Sequence, residues 1–514
     1  MALAPVLISK TFRLAIFLAA GAALLAGCSG RISLVPGLPG PTGAADADPA
    51  PSPTPFLPPA VTPLPAPTMT PSPSPIPSAT GTSAPASAPL PQYTFTMVLD
   101  YAGHSLSVDE AVRYPNPGPD SLSALVLAVD AARWADTFNL DWLMVDGMLV
   151  TGGKLDGVRL EVPLASPLGP GASVGLSLHY DLRLPAADNR RVFGYNARQV
   201  NLVDWYPFVV PYVPGQGWLL HMPQSYGEYL VYDMAAFDVT LRLADPAQAV
   251  VIAASAPLEA TAGGWQASVR GARTFAFSAS PEYLSESAVA AGVTITSYFF
   301  PAERTGAQAL LQAVAQAVET YTDRFGALAN PNLSVVEAVF NDGLETDGLF
   351  FLSQGFYTRY DGTALNYLIA IGVHETAHLW WFARVGDDQA LEPWLDEALA
   401  TYSERIFYQV NYPQVTGWWQ FRVDAYAPTG WVDTDVYHAA GYRPYVNAVY
   451  LRGAQFLEAL RVRVGNEAFF AFLKDYAAQM AGKRATADDF FRILRLHTDA
   501  DISDLIRRYF QQTH

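Results

Sequence analysis

Val174, Leu176, Leu178, Tyr180, Leu182 and Leu184 alternate with mostly polar neighbours. This is the period-two pattern of a strand with one buried face. Phe237, Val239, Leu241 and Leu243 repeat it, and Phe275, Phe277, Val293 and Ile295 mark later strands. Gly and Pro punctuate these runs. Residues 93–299 therefore predict an N-terminal antiparallel all-β domain, a sandwich or a curved, saddle-like sheet. The aromatic block Trp205-Tyr206-Pro207-Phe208, with Tyr212, reads as core or interdomain packing, since aromatic rings supply large buried area. After Pro301 the period changes. Leu310, Leu311, Val314, Val318 and Tyr321 share one helical face. A valine-rich run, Leu333 to Phe340, predicts a strand. Helices are predicted over 363–385, 394–408, 446–464, 467–479, 487–497 and 502–510. Pro393 suits the first turn of the second of these, and Thr486 followed by Asp489 suits a capped start. The fold class is multidomain α+β, with a mostly helical domain over 300–514 after the β domain.

Two N-terminal segments stand outside this pattern. Lys10 and Arg13 precede an apolar run from Leu14 to Leu25. The run is short for a membrane span and has the form of a signal-peptide core. It ends in Leu25-Ala26-Gly27-Cys28, similar to a bacterial lipobox, in which cleavage leaves the cysteine first and lipidated. Cys28 is the only cysteine, so no intrachain disulfide can form, and an anchor point explains it better than a redox group. Residues 1–28 thus predict a lipoprotein signal, an extracytoplasmic location and membrane attachment through Cys28. Residues 29–92 are dominated by Pro, Ala, Ser and Thr, as in Pro51-Ser52-Pro53-Thr54-Pro55. Such a segment cannot bury a core. It favours extended polyproline II, a stalk reaching about 100 Å at about 3 Å per residue.

Charge narrows the partners. A formal net charge of −17 over 514 residues argues against nucleic acid, which needs basic surface. It also argues against electrostatic docking to anionic lipid. No protein partner can be inferred. Histidine is scarce, with 8 in the chain, and two stand in His374-Glu375-Thr376-Ala377-His378. On a helix they are one turn apart on one face and can bind a single zinc ion. Glu375 between them can act as a base on a water polarised by the metal. The gap to Glu397 suits a second helix that returns beside the first and supplies a third ligand. Three protein ligands leave the fourth position open, the catalytic arrangement.

Three segments carry a resemblance. His374-Glu375-x-x-His378 is followed by Glu397 within Trp394-Leu395-Asp396-Glu397, similar to W-L-N-E. Asp342-Gly343-Leu344-Glu345-Thr346-Asp347-Gly348-Leu349 is similar to G-A-M-E-N-W-G-L. Tyr450-Leu451-Arg452-Gly453-Ala454 is similar to Y-E-K-G-A. Together they make the chain resemble the aminopeptidase N family over about residues 93–514. These are the gluzincin peptidases that include leukotriene hydrolase. The resemblance implies a thermolysin-like catalytic domain and one zinc ion per chain. It also implies an aminopeptidase that removes N-terminal residues from peptides. His374, His378 and Glu397 would bind zinc, Glu375 would be the general base, and Tyr450 would donate to the developing oxyanion. Glu345 would hold the substrate's α-ammonium, and backbone near Gly343 and Leu344 would pair with the extended peptide. On this resemblance the family's later helical domain is expected to be absent, which would leave the cleft open to longer peptides.

Asp342 stands where that family has its first Gly, Thr346 where it has Asn, and Arg452 where it has Lys. Other functions share the same site: endopeptidase, non-peptide hydrolase, or a peptide-binding surface lipoprotein without turnover. Glu404, on the helix that carries Glu397, reads as a solvated surface acid rather than an orienter of a ligand. His438 reads as a structural or exposed loop histidine.

Overall fold

The structure is a computed structural model that describes residues 89–513. The expected signal segment, Cys28 and nearly all of the expected stalk lie outside the described residues. Among the described residues no helix is long and apolar enough to cross a membrane.

Strand Gln92–Asp100 alternates buried and exposed positions, with Phe95, Met97 and Leu99 fully buried. It pairs antiparallel with Ser105–Pro115, which pairs with Ser173–Arg183, which pairs with Phe138–Val145. On its other edge it runs parallel to Ala235–Leu243, the one parallel pair among the described strands of this half. Two four-stranded sheets and a two-stranded ribbon complete the β half. Trp205, Tyr206 and Phe208 are buried in its core. The Trp205 ring lies 4.9 Å from Phe95, and its indole N–H donates to the carbonyl of Phe275 at 2.9 Å.

The β half ends earlier than alternation suggested. Leu284–Ala290 and Val293–Phe299 join a five-stranded mixed sheet with Asn332–Ala338, Leu349–Ser353 and Gly343–Thr346. Val293–Phe299 runs parallel to Asn332–Ala338, so a boundary at 299 would cut one sheet in two. Alternation shows which face of a strand is buried but not which strand it pairs with. Gly343–Thr346 is the outer strand and pairs on one side only, with Leu349–Ser353.

Helix Arg304–Phe325 crosses helix Tyr367–Ala377 closely. A Cβ on Gly372 would sit 2.2 Å from Leu310 Cδ1, so glycine permits this approach. The helix expected over 363–385 is broken. Trp380 and Trp381 are both fully buried, yet neighbours on a regular helix diverge by about 100°. The chain unwinds at Trp381 (φ −104°, ψ 57°) and both rings turn inward. Their indole N–H groups donate to Gly326 O at 2.7 Å and Ser403 Oγ at 3.0 Å. The helix expected over 446–464 begins at Tyr442 and passes through a widened turn, Asn447–Arg452, that holds Tyr450. Thr486 and Asp489 form the expected capping box.

The two halves are tied by Arg273, which is buried. Its guanidinium donates to the carbonyls of Phe382 (2.7 Å), Tyr232 (2.9 Å) and Lys483 (2.8 Å). The loop after Trp218 also reaches over the helical half. His221 Nε2 lies 2.9 Å from Asp388 Oδ2, and Tyr226 donates to Ala439 O at 2.9 Å. That loop carries Glu228.

Candidate active site

Asn366 starts the first motif helix by accepting from the Ile369 N–H at 3.1 Å. His374 and Glu375 lie inside it and His378 at its C-terminal cap. Helix Trp394–Asn411 runs back beside it with Asp396 and Glu397 in its first turn. The imidazole rings are 4.8 Å apart. Glu397 Oε2 is 3.2 Å from His374 Nε2 and 3.7 Å from His378 Nε2. Both Nδ1 atoms rest on carboxylates: His374 on Glu404 at 3.2 Å, and His378 on Asp396 at 2.5 Å. These partners fix the ring orientations and aim both Nε2 atoms at one point. Two imidazole nitrogens and one carboxylate are a donor set that zinc takes.

Charge points the same way. Burial pushes Glu375 well above the usual carboxylate range, against the pull of both imidazoles. Burial would lower His374, but Glu397 and Glu404 more than offset it and hold it at about 9. A divalent cation would displace those protons and neutralise the crowded acids. One oxygen of Glu375, Oε2, is buried without a hydrogen-bond partner, an acceptor poised for a donor within the site.

Glycine in the outer strand makes room for that carboxylate. A Cβ on Gly343 would lie 2.0 Å from Glu375 Oε1. Two residues on, Glu345 is buried and accepts from Gln389 Nε2 at 3.0 Å. Tyr450 donates to Glu397 Oε1, with its ring parallel to that of His374. The structure thus gathers His374, Glu375, His378, Glu397, Tyr450, Glu345 and Gly343 around one point, and Leu344 follows Gly343 in the same strand.

Residues 357–509 match the sequence model of the peptidase family M1 domain. Over this segment the chain is similar to peptidase family M1. A match to a peptidase domain and a buried donor set that zinc takes together mark the helical half as a zinc-dependent hydrolase. No curated protein sequence matches the chain. Solved structures share the fold. The M1 zinc metallopeptidase of Deinococcus radiodurans has a TM-score of 0.60 at 18% identity, covering 83% of this chain and 94% of that one. A point mutant of that enzyme bound to the substrate Tyr-Ser-Ala gives 0.60 at 19% identity, covering 83% and 95%. A two-domain M1 zinc metallopeptidase mutant bound to L-tryptophan gives 0.59 at 18%, covering 83% and 95%.

The surroundings of the site correct one expectation and add two residues. Glu404 is not a solvated acid. It is wholly buried, and Arg422 grips it with two bonds of 2.7 Å while it holds His374. Spacing put Glu404 on the Glu397 helix but could not show that a second helix, Trp418–Arg422, covers it. Glu404→Gln is expected to weaken zinc binding about 10- to 100-fold. Metal analysis after dialysis against graded chelator checks this; retention equal to the parent would remove Glu404 from the ligand support. His438 is exposed and pairs with Asp435, in keeping with a loop histidine.

Glu228 and Gln389 escaped the sequence reading. Carboxylate oxygens of Glu228, Glu345 and Glu397 lie within 4.8 Å of one another. Burial pushes Glu228 well above its ordinary range, and Glu345 and Glu397 add to it. Burial likewise holds Glu345 up at about 7, against the pull of the His378 imidazole. Gln389 Nε2 bridges Glu345 and Asp396 at 3.0 and 3.1 Å. A lone Gly-Glu step among tyrosines was the only local sign of Glu228, and Gln389 had none.

Proposed function

We propose that the chain is an aminopeptidase acting on extracytoplasmic peptides, anchored to a membrane through Cys28. The observation that carries the activity is the pair of half-buried Glu228 and buried Glu345, side by side next to the ligand Glu397. Among the described residues no lysine or arginine forms an ion pair with either. A substrate α-ammonium would supply the missing cation. The site would then measure one residue from the N-terminus to the reacting carbonyl. The lipobox-like Leu25-Ala26-Gly27-Cys28 and the Pro-rich segment after it support the location.

His374, His378 and Glu397 would hold the zinc, which when bound polarises a water and the substrate carbonyl. Glu375 takes a proton from the attacking water and returns it to the leaving amine. Tyr450 swings its hydroxyl from Glu397 to the developing oxyanion. The free edge of Gly343–Thr346 receives the peptide as an added strand.

Glu345→Ala is expected to raise KM for free-amine peptides about tenfold or more while leaving slow cleavage of N-acetylated peptides unchanged. Equal cleavage of blocked and free peptides by the parent enzyme would move the reading to an endopeptidase.

Asp342 bears on substrate length. Its Oδ2 accepts from Tyr442 at 2.7 Å, joining the outer strand to the segment that carries Tyr450. Glu345 lies about 10 Å along the strand from Asp342. With the amine at Glu345 and the reacting carbonyl beside Gly343, the leaving part of the peptide must pass this bridge. Asp342→Gly is therefore expected to raise kcat/KM for hexapeptides about tenfold, the worth of a hydrogen bond to a charged group. Aminoacyl amides, which have no following residues, should be unaffected. A parent enzyme indifferent to peptide length would refute the bridge as a barrier.

A further inference from the structure

Three helices place arginines around a separate concavity of about 470 Å³. Arg324 comes from the end of Arg304–Phe325, Arg405 from Trp394–Asn411, and Arg461 from Gly453–Val464. Arg405 directly follows Glu404, so it leaves the helix about 100° away from the zinc face. No carboxylate lines the concavity, although the chain carries a net charge of −17.

The partners of these arginines leave their charge unmatched. Arg461 bonds neutral acceptors, Asn466 Oδ1 and Gln409 Oε1 at 2.7 Å and the Tyr402 hydroxyl at 3.3 Å. Among the described residues the ion-pair partner of Arg324 is the exposed Asp323, at 3.5 Å. Both Arg324 and Arg461 lie over the Phe470 ring, at 4.7 and 4.8 Å. Two like charges are thus held against one side chain. The Nε–H of Arg405 is buried with no acceptor. A guanidinium cannot relieve these conditions by losing a proton, because it stays charged throughout the working range. A buried donor without an acceptor and three convergent cations call for an anion.

We propose that this concavity binds a phosphate-type oxyanion. A carboxylate offers two oxygens and one charge. A phosphoryl group offers three or more oxygens and nearly two charges, which suits three guanidinium forks. The group can arrive as free phosphate or on the headgroup of an anionic lipid. Neither source depends on the aminopeptidase reading.

Calorimetry with inorganic phosphate in chloride buffer of constant ionic strength tests the first source. Sedimentation with vesicles containing phosphatidylglycerol, against phosphatidylcholine alone, tests the second. The expected result is saturable one-to-one binding in one of these arms, weakened at least tenfold in Arg405→Gln and in Arg461→Gln. The same ligand should raise Tm in the parent and not in the variants. A ligand-free Tm close to that of the parent in Arg405→Gln and Arg461→Gln shows that the fold is intact. Phosphate binding assigns the free ion; binding to phosphatidylglycerol vesicles alone assigns the headgroup. No saturable binding in either arm, or binding that survives both substitutions, overturns the proposal.

Discussion

Glu375→Gln should leave zinc in place and lower kcat by about three orders of magnitude, the range expected when a positioned general base is lost. The argument rests on the separation of duties within the motif helix. His374 and His378 face Glu397, whereas Glu375 faces the outer strand under Gly343. Glutamine keeps the volume and one acceptor but cannot take a proton from water. The ligand set is untouched, so metal content should equal that of the parent. KM should change little, because Glu345 and Glu228 are still present to hold the amine. A variant retaining more than a tenth of the parent kcat would remove Glu375 from the base role.

The second large effect is expected at Gly343, a residue that carries no functional group. Its φ is not in the left-handed region, so the requirement is space. An alanine Cβ would meet Glu375 Oε1 at 2.0 Å and Cδ at 2.4 Å. The obstructing atoms are the far end of a flexible side chain, so the chain can still fold by pushing the carboxylate aside. Catalysis lacks that freedom, since displacing a reacting group by about 1 Å costs on the order of 100-fold. Gly343→Ala should therefore lower kcat at least 100-fold with zinc content and Tm close to the parent. A kcat near the parent would show that the strand moves instead and that Glu375 keeps its position.

Most of this site is readable where function depends on local spacing. His374, Glu375 and His378 fall on one helix, and the distance to Glu397 suits a returning helix. Glu345 and Tyr450 came from likeness to a family, since neither has neighbours that announce a role. Tertiary contacts supplied the rest. Glu404 looked solvated because its helix is amphipathic in sequence, yet Arg422 and Trp418 close over it. Glu228 reaches the site only because a loop of the β half crosses the helical half. The unwinding at Trp381 was hidden for a related reason. Two adjacent tryptophans are compatible with a helix in one dimension, and only their joint burial forces the break. Leu284–Phe299 shows the same limit, for its alternation was correct and its sheet was not.

The central claim is that His374, His378 and Glu397 share one zinc ion. Diffraction from crystals of the parent protein, collected on both sides of the zinc absorption edge, tests it most directly. The account predicts a single anomalous peak within about 2.0–2.2 Å of both Nε2 atoms and a Glu397 oxygen. A peak elsewhere, or none in protein supplied with excess zinc, would contradict it.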